Sequence, residues 1–136
     1  MKVKILDFGY KYTPYRSHYD DAGADVFILE DVEVKRGATK AIPLGFGLEI
    51  PNGYVGFIMP RSSYSKCGLV TELSPIDSGY RGEIHAIVHN QWKGDMLLKA
   101  GDRVGQLVIF PVIIANFMKG ESGKKRDKNA FGSTGN

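Results

Sequence analysis

Asp77 sits in Leu73-Ser74-Pro75-Ile76-Asp77-Ser78-Gly79-Tyr80-Arg81-Gly82-Glu83, a turn-rich segment between two extended runs. A carboxylate there can shape the turn by bonding nearby backbone amides, or it can take a proton from a water and make that water a nucleophile. Tyr80 and Arg81 add an aromatic platform and a cation, which together could face a sugar and a phosphate. Pro60-Arg61-Ser62-Ser63-Tyr64-Ser65-Lys66 follows an extended run and opens a helical turn, so that hydroxyls, backbone N–H groups and a guanidinium converge. Unpaired amides at a helix start and a planar Arg fork both match phosphate oxygens; the plainer role for any one of these serines is an N-cap. Asp25, in Asp21-Ala22-Gly23-Ala24-Asp25-Val26, starts a strand just after a glycine. A single carboxylate in such a place can hold Mg²⁺ through waters, because Mg²⁺ keeps much of its hydration and leans on substrate phosphates. Taken alone, Gly101-Asp102-Arg103-Val104-Gly105-Gln106-Leu107 is a turn into a strand with a local ion pair.

Short extended runs must position these groups: Val3 to Leu6, Asp25 to Leu29, Val32 to Lys35, Phe46 to Ile50, Tyr54 to Met59, Glu83 to His89 and Arg103 to Phe110. Val32-Glu33-Val34-Lys35 alternates apolar with polar, β-branched and aromatic residues fill the other runs, and Gly or Pro punctuates nearly every gap, as strands and their turns require. Only Ser62 to Lys66 has room for a helical turn. The expectation is an all-β sandwich or barrel over residues 1–118. From Lys119 the chain turns charged and glycine-rich, so residues 119–136 are expected to form a flexible C-terminal arm; alone, such a terminus is normally just solvated.

The chain has 136 residues, 43% hydrophobic and 24% charged, enough for one compact domain and ordinary for a globular protein. Its 18 basic and 15 acidic residues leave a net charge of +3, and no stretch before the tail gathers the basic ones into the stripe that nucleic acid needs. A small polyanion suits this balance better. The longest apolar stretch, Gln106 to Phe117, is broken by Pro111 and falls short of the ~20 residues of a membrane span. Asp7 and Lys11 interrupt any signal-peptide core after Met1-Lys2-Val3-Lys4, so a cytoplasmic location is expected. Cys67 is the only cysteine, which rules out an intrachain disulfide and a multi-thiolate metal site. It makes no recognisable arrangement with His18, His85 or His89 and is expected to be a small hydrophobe, buried or half buried.

Taken in order, these segments resemble the five motifs of the trimeric dUTPases: Ala22-Gly23-Ala24-Asp25-Val26, then Pro60-Arg61-Ser62-Ser63, then Ile76 to Glu83, then Gly101 to Leu107, and last Arg126 to Gly135 with Phe131-Gly132-Ser133-Thr134-Gly135. One match would be weak, whereas five ordered matches are specific. The resemblance implies a distorted jelly-roll of β-strands, a homotrimer with sites where subunits meet, and hydrolysis of dUTP to dUMP and pyrophosphate. That reaction lowers dUTP and supplies dUMP for dTTP synthesis.

On this resemblance Asp77 is the general base acting on a water that attacks the α-phosphorus, and Asp25 steadies Mg²⁺ through water. Arg61, Ser62, Ser63, Gln106, Arg126 and Ser133 supply phosphate contacts. Ile76, Ile84 and the backbone of the hairpin around residues 74 to 88 read the uracil, with Tyr80 packed under the deoxyribose. Phe131 and Gly132 belong to an arm that closes over the base. In place of the glycines usual between Arg and Phe of the fifth motif, Asp127-Lys128-Asn129-Ala130 intervenes here, and Trp92 is a candidate to share or replace the stacking of Phe131. The nearest rival, dCTP deaminase, shares the fold and assembly but is usually longer and lacks the Phe-Gly-Ser-Thr-Gly ending. A binding protein on the same fold is the reading from another class.

Overall fold

The structure, a computed structural model, describes residues 1–124. Its strands are β1 (Lys4–Asp7), β2 (Ala24–Phe27), β3 (Val32–Val34), β4 (Thr39–Pro43), β5 (Phe46–Glu49), β6 (Tyr54–Met59), β7 (Leu69–Thr71), β8 (His85–Asn90), β9 (Met96–Leu98) and β10 (Arg103–Pro111), with one short helix, α1 (Ser62–Lys66), between β6 and β7. They pair antiparallel as β1-β5, β2-β10-β6, β3-β9 and β4-β8-β7. No helix among the described residues is long and apolar enough to cross a membrane.

Alternation along the strands sends one face of each inward. In β8, Ala86, Val88 and Asn90 are buried while His85, Ile87 and His89 are exposed or partly exposed; in β2, Ala24 and Val26 point in and Asp25 and Phe27 point out. The inward side chains, among them Val26, Ile42, Phe46, Leu48, Leu69, Val88 and Val104, form one cluster. Each buried Val, Leu, Ile or Phe contributes about 1.5–3 kcal/mol relative to exposure. The register of β10 against β2 shifts between Arg103 and Gly105. A Cβ on Gly105 would stand 2.8 Å from the Met59 carbonyl oxygen, so only glycine lets β10 lie that close to β6. After β10 the chain leaves the sheet, and Ile113 (89%) and Phe117 (96%) stand in the open.

Strands β4, β7 and β9 are additions to the sequence-based expectation. β4 reads Thr-Lys-Ala-Ile-Pro and has only Ile42 buried; β7 and β9 span three residues each, too few for a period of two to declare itself. Cys67 is exposed, a correction to the burial expected of it: it follows α1, whose five residues include no buried one.

Candidate active site

Two clusters form. The first hangs from β6, where Gly56 and Ile76 exchange backbone hydrogen bonds of 3.1 and 2.7 Å. That bridge anchors the long loop of the β7–β8 hairpin, and beyond it lies a cavity of about 250 Å³ walled by Ile58, Ile76, Asp77, Tyr80, Ile84 and Ile87. The Tyr80 amide donates to the Asp77 carbonyl at 3.0 Å, closing a turn. The Tyr80 hydroxyl donates to the Glu83 carbonyl at 2.8 Å, which fixes the ring. Arg81 does not turn to the cavity for a phosphate, as its neighbourhood in the sequence suggested. Its guanidinium donates to the Ser78 carbonyl at 2.5 Å and stands 3.6 Å from Glu49, because the loop's own carbonyls and a carboxylate on β5 are nearer.

The second cluster lies where β2, β10 and β6 run side by side. Asp25 pairs with Gln106, and Gln106 with Met59, so these side chains form a row on the outward face. Asp25 accepts from Arg103 at 3.2 Å. This replaces the local pairing of Asp102 with Arg103 expected from sequence; the Asp102 carboxylate instead accepts the Lys99 amide at 2.9 Å. Arg61 donates to the Arg103 carbonyl at 3.0 Å and lies 5.5 Å from the centre of the Tyr64 ring. Burial pushes the Tyr64 hydroxyl above its ordinary value, the Asp102 charge adds to the rise and the Arg61 charge opposes it, so the phenol stays neutral at pH 7. Arg61 itself is the N-cap of α1 and no side chain caps the helix. The serines are therefore not N-caps, and the amides of Ser62 and Ser63 are those that a helix start leaves without intrahelical partners.

Gly23 fits against this row. A Cβ there would fall within 2.9 Å of the Gln106 Cβ and Cδ. Gly23→Ala is expected to push Gln106 out of line and lower turnover of the cluster's substrate by about tenfold or more, with little change in thermal midpoint; an unchanged rate would show that the position of Gln106 does not matter.

The cavity wall includes none of Asp25, Arg61, Ser62, Ser63 or Gln106, and β6 links the two clusters, through Gly56 to the first and Met59 to the second. Trp92 lines neither. It borders a groove of about 600 Å³ with Tyr64, Cys67 and Met96, and a recess of about 360 Å³ with Arg36 and His89. Arg126, Phe131, Gly132 and Ser133 lie outside the described residues. Sequence reasoning missed Arg103 as the partner of Asp25; its place in the fourth segment was a signal, but a cross-strand pair has no local spacing to read. Among the described residues no three His, Cys, Asp or Glu side chains gather as a metal cage. One carboxylate beside an amide and two guanidinium groups suits Mg²⁺ carried by a polyphosphate rather than a metal held by protein alone.

Residues 10–135 match the model of the dUTPase family. The chain is 38% identical to the deoxyuridine 5'-triphosphate nucleotidohydrolase of Tropheryma whipplei (strain Twist), covering 99% of this chain and 96% of the relative. It is 37% identical to that of Paramecium bursaria Chlorella virus 1, covering 90% and 89%. Among solved structures it resembles a variant of the dUTPase of Staphylococcus bacteriophage 80alpha with dUpNHpp (TM-score 0.86, 25% identity, 98% of each chain). It also resembles a variant of the dUTPase from phage phi11 of S. aureus described for its coordination of a structural Mg(II) ion (TM-score 0.84, 25% identity, 90% and 98%).

Proposed function

The chain belongs to the dUTPase family, a family of dUTP diphosphatases on a distorted jelly-roll of β-strands, and from that premise we propose how its own residues divide the reaction between them. The cavity of about 250 Å³ beside Asp77 carries the proposal. It is smaller than the roughly 300–1,000 Å³ of pockets that enclose whole ligands, so it takes the base and sugar and leaves the triphosphate outside. Ile76 and Ile84 flank the uracil, whose edge bonds backbone groups of the loop and β8; cytosine presents the reversed donor and acceptor pattern and leaves buried groups unpaired. The ring of Tyr80, fixed through its hydroxyl to the Glu83 carbonyl, lies under the deoxyribose and leaves no space for a 2′-hydroxyl.

At the mouth of the cavity Asp77 orients a water and takes its proton as the oxygen attacks the α-phosphorus. The bond to the bridging oxygen breaks, pyrophosphate leaves and dUMP remains. Arg61, Ser62, Ser63 and Gln106 hold phosphate oxygens, joined by Arg126 and Ser133. Asp25 would hold Mg²⁺ through water, and the ion would supply neutralisation of the charge that develops on the phosphates.

Because none of the phosphate-cluster residues lines the cavity beside Asp77 on one chain, this reading has the two meet across subunits of a homotrimer. Residues 119–136 act as an arm on the barrel of residues 1–118, bringing Phe131 and Gly132 over the base, with Trp92 a further stacking candidate. Pyrophosphate release with Mg²⁺ tests the proposal, dUTP being run beside dCTP, dTTP and UTP. Hydrolysis of dUTP alone is the expected result; ammonia from dCTP would point to a deaminase, and silence toward all four to a binding protein.

A further inference from the structure

Tyr15 forms an isolated antiparallel bridge with Asp25. The two residues exchange both backbone hydrogen bonds, Tyr15 N to Asp25 O at 3.0 Å and Asp25 N to Tyr15 O at 2.7 Å. On its other edge Asp25 pairs with Gln106 in β10. Residues directly opposite in antiparallel pairs project from the same face, with Cβ atoms about 5.5 Å apart in a hydrogen-bonded pair. Tyr15, Asp25, Gln106 and Met59 therefore form one continuous row. Burial along the strands agrees: Ala24 and Leu107, the adjacent pair, are buried, while Asp25 and Gln106 are partly exposed and Tyr15 is 57% exposed.

From this row we infer that Tyr15 is a further substrate-contacting residue, whose phenol donates a hydrogen bond to the triphosphate on the side of Asp25 away from Gln106. Asp25 accepts only and already holds Arg103, and Gln106 lies on the opposite flank, so within this row of four Tyr15 is the residue with a donor to offer on that edge. The phenol is suited to the role because it carries an O–H donor, is rigid to its oxygen, and is long enough to reach past a carboxylate. The inference rests on the placement of the triphosphate at the Asp25 cluster proposed above.

The test is titration calorimetry of the full chain with the α,β-imido analogue of dUTP and Mg²⁺, and separately with dUMP, comparing wild type, Tyr15→Phe and Asp25→Asn. Tyr15→Phe removes one oxygen and keeps the ring, so its thermal midpoint should match wild type. The expected result is about tenfold weaker binding of the analogue, as for loss of one hydrogen bond to a charged group, with dUMP binding unchanged. Tyr15→Phe binding the analogue like wild type, while Asp25→Asn binds it less well, overturns the role of Tyr15 and leaves the phosphate site standing. Equal weakening toward dUMP makes the residue merely structural and also overturns it. Undiminished binding in Asp25→Asn removes the triphosphate from the cluster and takes both readings with it.

Discussion

Asp77→Asn is expected to lower the rate of dUTP hydrolysis by about 10²–10⁴-fold, the range a positioned general base contributes, while leaving affinity for the imido analogue within about threefold. Asn keeps the shape and the hydrogen-bonding reach of Asp but cannot accept a proton at neutral pH. Two other carboxylates border the cavity, Glu72 and Glu83, and each is committed elsewhere. Glu72 stands 3.1 Å from the His89 ring nitrogen, and Glu83 accepts the Gly45 amide at 3.0 Å. Among the described residues no hydrogen bond or ion pair holds the Asp77 carboxylate, which leaves it available to a water. Single-turnover rates with bound substrate separate the chemical step from binding. A mutant retaining more than about a tenth of the wild-type rate would shift the base role to one of the two glutamates.

The largest effect on stability is expected at Asn90, which ends β8 and is 1% exposed. Its side-chain amide donates to the carbonyls of Val34 at 2.8 Å and Gly94 at 2.9 Å, and its oxygen accepts the Trp92 amide at 2.8 Å. One side chain thus joins β3, β8 and the turn that leads into β9. Asn90→Ala takes this partner from three backbone groups, one of them in a buried bond and two in partly buried ones. An orphaned buried group costs about 1–3 kcal/mol, so a loss of about 3 kcal/mol or more is expected, a large fraction of the 5–15 kcal/mol of an ordinary domain. Urea unfolding followed by fluorescence measures it, and a loss below about 1 kcal/mol would mean that the turn rearranges to satisfy itself.

Much of this was legible from residue order. Tyr54 to Met59 announces β6 by its β-branched and aromatic content, and Ser62 to Lys66 forms a short helix where a helical turn was expected. Ile76, Asp77, Tyr80 and Ile84, separated by turns in the sequence, do gather around one cavity. Pairs made across strands were not legible: Arg103 chooses Asp25 rather than Asp102, and Arg81 turns back to Glu49, because both choices depend on which strands lie side by side. Tyr15 escaped notice for the same reason. Its partner is ten positions along and joined by a bridge, a distance at which no periodicity operates.

Strand β10 is the last strand among the described residues and lies between β2 and β6. Until it is in place, Asp25 and Met59 have nothing to hold them in one sheet. During synthesis residues 1–102 must wait on the ribosome as unjoined edges, their outermost pairings β1-β5 and β4-β8 already available, while the middle of the molecule stays open. Contacts between residues this far apart are slow to form, and unpaired edges invite other chains. The row of Asp25, Gln106 and Met59 is therefore assembled only once β10 has docked, and a chain cut short before Arg103 would be left with a half-built sheet prone to aggregate.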